Sequence, residues 1–311
     1  MPNARPVPTV RRRRLGEALR RFRSQAGGLE GKGLTLDEAA DLLARLDKEA
    51  GGDGGAWTSP KLSRIETAKA HIRPAEVTHV LEAYGMDPKK DADVFTALEG
   101  LARHAGQKGW WQTYSGIVAP AYADYISLES DAESIRIWSP QLIPGLMQSA
   151  AYARETIAVN ATTRTPEEVT ALAEVRMARQ AVLSRPEGPL RLWAIIHESV
   201  LHQQFATRPT LMRDQLRRLV EVAELPNVTL QIMPLDASPH PGTTGGFSLV
   251  GFPGPMPAVV LLENLIGASY VEAVDEVQIY ADGFERVVAS ALSSDNSLAL
   301  ITRRMEEGTR T

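Results

Sequence analysis

Ser59, Lys61, Ser63 and Arg64 place hydroxyl and cationic groups on a short stretch that also carries two apolar residues, Leu62 and Ile65. Arg and Lys side chains can pair with guanine edges, and a serine hydroxyl can reach a base or a phosphate. A short helix that is polar outside and apolar inside has the build of a DNA groove reader. The run Arg11-Arg12-Arg13-Arg14 adds four cations near the chain start. At a helix N-terminus they oppose the helix dipole. Either DNA phosphate or a minor groove favours them there, or they are a solvated leader.

Other groupings lead less far. His197-Glu198 with His202 invites a zinc-protease reading, but that motif needs histidines four apart on one helical face. These are five apart, so a polar role at a strand end is expected for His197, and no metal or cofactor. Gly242-Thr243-Thr244-Gly245-Gly246 could offer backbone N–H groups to a phosphate. No Lys-Ser/Thr pair follows it and a strand comes next, which favours a flexible hairpin or lid. Trp110, Trp111, Tyr114, Tyr122 and Tyr125, with the carboxylate of Glu129, could line a ligand pocket, or the rings could glue two domains together. Glu198 and Glu263 are further carboxylates that nothing in the sequence pairs. No Ser/His/Asp grouping stands at a catalytic spacing, so no enzyme is expected.

The elements that must position these groups read clearly at the N-terminal end. Leu15, Leu19, Phe22 and Ala26 form one helical stripe, stopped by Gly27-Gly28. Thr35 and Glu38 make a capping box for a second helix, whose inner face is Leu36, Ala39, Ala40 and Leu43. The two alanines permit close helix approach. Thr58 caps a third helix with Pro60 in its first turn. A fourth helix runs from about Pro74 to Tyr84, and a fifth runs through Val94, Phe95, Leu98 and Leu101.

Beyond Gly106 the pattern mixes helix and strand. Strands are expected at Ser134–Trp138, Leu190–Ile196, Val228–Met233, Phe247–Gly251, Val259–Leu262 and near Ser269–Val271. Helices are expected from Thr165 to about Leu183, over Thr210–Leu225, from Asp275, and after Ser293. The expected fold is an all-α five-helix helix-turn-helix domain at 9–104 and an α/β (α+β) domain with a mixed sheet at 105–305, with tails at 1–8 and 306–311.

Bulk properties agree. The 311 residues suffice for two domains, and 43% hydrophobic with 23% charged residues is an ordinary globular balance. The absence of cysteine excludes disulfides and thiol chemistry, and suits a reducing cytoplasm. No apolar run is long enough for a membrane span. Residues 1–73 hold 15 Lys and Arg against 9 Asp and Glu, so a +6 head sits on a −10 remainder within a net −4. One end is thus suited to a polyanion.

The strings Thr35-Leu36-Asp37-Glu38-Ala39-Ala40 and Lys61-Leu62-Ser63-Arg64-Ile65-Glu66-Thr67 resemble the Xre-type, phage-repressor-like helix-turn-helix. The resemblance implies that the third helix enters the major groove. It makes Ser59, Lys61, Ser63 and Arg64 base and phosphate contacts, and pairs Glu66 with Arg20 as a structural link. Thr35, Arg11, Arg12 and Arg13 complete the expected DNA-binding set. Two departures stand out: Gly27 to Gly33 is long, and Lys48 to Ala56 inflates a turn where about 3–4 residues is typical.

The remainder resembles the C-terminal domain of unknown function, described as antitoxin-like, that follows such heads in many actinobacterial regulators. The matching strings include Gly109-Trp110-Trp111, Pro140 to Gln148 (PQLIPGLMQ), Arg176 to Leu183 (RMARQAVL) and Leu225-Pro226-Asn227-Val228. The resemblance implies a cytoplasmic regulator, nucleoid-associated when bound to double-stranded DNA, whose larger domain senses a ligand or a partner. A homodimer is expected because twofold proteins read twofold sites. The alternative is an antitoxin-like interaction module that captures a small protein encoded nearby, with autoregulatory DNA binding.

Overall fold

The computed structural model describes residues 9–27, 33–105, 109–114, 116–160, 164–206, 208–254, 256–264 and 267–307. The expected tail at 1–8, the last four residues of the chain and most of the link between the first two helices lie outside them. Two compact units emerge: residues 1–109 with 253–256, and residues 110–252 with 257–311.

In the first unit, α1 (Val10–Gln25) is capped by the Thr9 hydroxyl, which accepts from the Arg12 N–H. Helix α2 (Leu36–Glu49) starts on the full Thr35/Glu38 capping box. Helix α3 (Ser59–Glu66) starts on Thr58, and α4 (Pro74–Ala83) and α5 (Ala92–His104) close the bundle. Leu15, Leu19, Ala39, Leu43, Leu62, Ile65, Val77, Leu81 and Leu98 share its core. Burial of these apolar faces is the main stabilising term.

Two local devices fix α3. A Cβ on Gly16 would come within 2.6 Å of the Glu66 carbonyl oxygen, so only glycine lets α1 approach the end of α3 this closely. That end is a Schellman turn. The Lys69 N–H donates to the Arg64 carbonyl (2.7 Å), and the Ala68 N–H to the Ile65 carbonyl (2.9 Å). Ala68 fills the left-handed position at φ 58°, where glycine is usual.

The glycine-rich insertion before α3 is an ordered clip. Asp47 Oδ2 accepts from the Gly54 N–H at 2.9 Å, and the Asp47 carbonyl accepts from the Gly52 N–H at 2.8 Å. The extra residues fold back on the end of α2.

The second unit comprises α6 (Pro120–Asp131), β1 (Ser134–Ser139), α7 (Ala150–Asn160), α8 (Pro166–Arg179), β2 (Arg191–His197), α9 (Leu211–Ala223), β3 (Val228–Met233), β4 (Phe247–Gly251), β5 (Val259–Asn264), β6 (Gly267–Val271), α10 (Val274–Ser290) and α11 (Ser294–Glu307). The sheet order is β3-β2-β1-β4-β5-β6. Strands β1, β2 and β3 run parallel, in register Ile135–Leu192–Val228, and the remaining pairs are antiparallel. The parallel connections carry helices, as crossovers require. Helix α10 covers one face through Val277, Phe284 and Val287, against Trp138, Ile195, Phe247 and Val260.

The expected architecture is the one found: a helical head with a helix-turn-helix, then a mixed sheet with helices. Helices α6 and α7 are additional to the expected elements. Helix α11 runs two residues into the stretch expected as a tail. No described helix is long and apolar enough to cross a membrane.

Candidate nucleic-acid interface

Helix α3 presents Pro60, Ser63, Arg64 and Thr67 along one stripe, with Leu62 and Ile65 buried behind it. Arg64 is exposed, and among the described residues its guanidinium has no carboxylate partner. The Thr67 hydroxyl donates to the Ser63 carbonyl at 2.7 Å and closes the helix end. Of the predicted contacts, Arg64 therefore lies open, with Ser63 half-buried beside it.

The other two on α3 are engaged within the protein. The Ser59 hydroxyl bonds the Asp37 carboxylate of α2. The Lys61 ammonium meets Glu76 Oε1 of α4 at 3.0 Å and lies 4.1 Å from the centre of the buried Trp57 ring. Burial opposes ionisation of Glu76. The Arg73 N–H, Lys61 and the Arg73 side chain outweigh it and hold the carboxyl below its usual range.

Thr35 is a cap more than a contact. Its N–H and hydroxyl both donate to Glu38 Oε2 at 2.8 Å, and its hydroxyl accepts from the Glu38 N–H. The Thr35 bonds, the backbone one foremost, lower the Glu38 pKa, so this end of α2 stays anionic.

Glu66 does not pair with Arg20. It takes Arg23 instead, with Nε at 2.6 Å from Oε1 and Nη2 at 2.8 Å from Oε2. Arg23 lies on the stripe of Gly16 and Leu19, which faces α3, whereas Arg20 is exposed. The side-chain bond to Glu66 is the main reason the Arg23 pKa rises.

The arginine run has a protein environment. Arg14 is buried, and Arg11, Arg12 and Arg13 are half-buried. The Thr9 hydroxyl donates to the Ala105 carbonyl at 3.2 Å, and Arg11 Nη1 reaches the His104 carbonyl at 3.5 Å. The C-terminal carbonyls of α5 favour the positive charge of Arg11.

In the second unit, the suggested pocket of Trp110, Trp111, Tyr114 and Glu129 is filled. Trp111 is buried against Ile126 and Val175, with Tyr114 packed beside it, while Trp110 is exposed. Glu129, 1% exposed, binds Arg179 through both oxygens at 2.8 and 2.7 Å, and Arg179 Nη1 donates to the Tyr122 hydroxyl at 2.7 Å. This carboxylate is neutralised in place and has no charge to offer a ligand.

The glycine-rich segment is no open hairpin. Residues Pro241–Thr244 form a 3-10 turn whose Gly242 carbonyl accepts from Trp138 Nε1 at 2.8 Å. His197, the last residue of β2, caps the 3-10 turn Glu198–His202 by accepting from the Ser199 N–H, and His202 lies 3.7 Å from Glu198.

Residues 14–92 match the helix-turn-helix domain, the segment from α1 to the start of α5. Residues 122–303, more than half of the chain, match the domain of unknown function DUF5753. The chain belongs to the DUF5753 family. The DUF5753 segment begins within α6 and ends within α11, so it takes in the whole six-stranded sheet. No curated protein and no solved structure matches the chain. The helix-turn-helix is a DNA-binding class of domain.

Proposed function

We propose that this DUF5753 protein is a sequence-specific transcriptional regulator of the Xre type. Helix α3 enters the major groove, Arg64 makes the principal base contact, and Ser63 and Thr67 flank it. The observation that carries the reading is the exposed Arg64, flanked by Ser63 and Thr67, on a helix fixed at both ends. The Thr58 cap and the bond from Ser59 to Asp37 hold its start, and Gly16, Arg23 and the Schellman turn hold its finish. A reading element needs this rigidity, because a bidentate base contact tolerates little angular error.

Two copies are needed for a twofold site, and the DUF5753 domain is the part we assign to self-association or partner binding. The protein acts in the cytoplasm, without enzymatic activity. The test is genome-wide DNA capture with the purified full chain at two salt concentrations. Enriched sites sharing one palindromic motif that persists at higher salt support the reading. Diffuse binding that vanishes with salt is phosphate attraction alone and rejects it.

A further inference from the structure

Helix α3 carries one lysine and one arginine, and the protein treats them oppositely. Arg64 is left open, whereas Lys61 is held by a carboxylate from another helix and by an aromatic face. Glu76 divides its two oxygens, Oε1 to Lys61 at 3.0 Å and Oε2 to Arg73 at 3.3 Å. The Lys61 and Glu76 side chains are 30% and 19% exposed, so the pair is partly sheltered from screening.

Non-specific attraction to DNA arises when a cation displaces a counter-ion from the phosphates. A lysine already neutralised by a fixed carboxylate gains little by meeting a phosphate, because it must first leave its partner. We propose that Glu76 is a specificity-determining residue: a built-in anion that keeps Lys61 from binding phosphate. Sequence-independent affinity stays low while base reading through Arg64 remains available. The neighbouring Asp37 does the same for a hydroxyl, occupying Ser59. The inference rests on the DNA-binding reading above and goes beyond it by naming what restrains non-specific binding.

The test uses the full chain and a random-sequence DNA duplex, titrated across a salt series. Glu76→Gln keeps an oxygen to accept from the Arg73 N–H, the bond that starts α4, but removes the charge. Non-specific affinity at low salt should rise several-fold. The slope of log affinity against log salt should steepen by about 0.9 for each cation released, so one cation changes the affinity ratio between 50 and 200 mM salt by about 3–4-fold. Lys61→Met in the wild-type background should leave the slope unchanged. The double variant should lose the Lys61 share of the Glu76→Gln effect.

Three results overturn the proposal: a Glu76→Gln slope equal to wild type, a Lys61→Met slope already flattened by about 0.9, or a double variant identical to Glu76→Gln. Thermal unfolding of each variant checks that the head is folded. A wild-type chain without salt-dependent binding to any duplex rejects the DNA reading itself, and the role of Glu76 with it. A normal wild-type slope beside an unchanged Glu76→Gln slope rejects only the latter.

Discussion

Arg23 and Glu66 face each other as a fork on a fork, with both carboxylate oxygens taken by one guanidinium across 43 residues of sequence. The pair ties α1 to the last residue of the reading helix, and its side chains are only 13% and 6% exposed. Removing one partner strands a largely buried charge. Glu66→Ala should cost about 3 kcal/mol of head stability, whereas Arg20→Ala should fall within about 0.5 kcal/mol. Chemical denaturation of the full chain, read on the head transition, separates the two. An Arg20→Ala penalty as large as that of Glu66→Ala would contradict the assignment.

Arg64→Ala tests the exposed arginine of α3. It should weaken operator binding by about 1–3 kcal/mol and relax preference at one base pair, leaving stability unchanged. Binding measured on the operator and on single-base variants decides it. Uniform weakening on every sequence would make Arg64 a phosphate contact.

How much of this was legible in the sequence follows from how local each signal is. Capping and stripes are short-range, so the five head helices and the Thr35/Glu38 box could be read directly. All six strands were also visible, as apolar runs bounded by Pro and Gly. Helices α6 and α7 were hidden because their apolar residues form no clear stripe: α6 buries Tyr125 through Glu129 consecutively. The partner of Glu66 was displaced by one helical turn, since periodicity places an arginine on a face but not against a particular neighbour. The engagement of Lys61 depends on Glu76, on another helix, and no spacing rule reports that. The partner of Glu129 is not legible because Arg179 lies 50 residues away. Gln215 gave no signal at all, yet it is fully buried. It accepts from the Ser149 N–H and donates to the Met147 carbonyl, holding the irregular segment after β1.

The Glu129–Arg179 pair should behave as a buried charge pair. Glu129→Gln should destabilise the second unit by about 3–5 kcal/mol, because Arg179 is left charged without its partner. Replacing both, as Glu129→Leu with Arg179→Met, should recover most of that loss. Unfolding curves of the single and double variants form the check, and a double variant no better than the single one would argue against charge stranding as the cause.

His240 predicts a pH dependence. Burial, and then the nearby His197, lower its pKa from the ordinary 6.5. Its Nδ1 also accepts from the Gly242 N–H at 3.1 Å, a bond that only the unprotonated nitrogen can make. The unfolded chain therefore binds the proton more readily than the folded one. This contribution is complete above about pH 6.5 and is lost as pH falls from there through the lower folded value. His240→Asn, which keeps an acceptor without titrating, should flatten the melting temperature against pH in that window. An unaltered profile in the variant would assign the dependence to other groups.

The central position of β1 sets a timetable for synthesis. Ser134 opposes Arg191 on one side and Gly251 on the other, 57 and 117 residues later. On the ribosome β1 emerges long before either neighbour, with both edges unsatisfied, and an edge left open is a template for wrong pairing. Non-local pairing of this kind also slows folding. A chain cut short before β4 would retain β1 with one permanently bare side, so truncation within the sheet should yield aggregates in place of a smaller working domain.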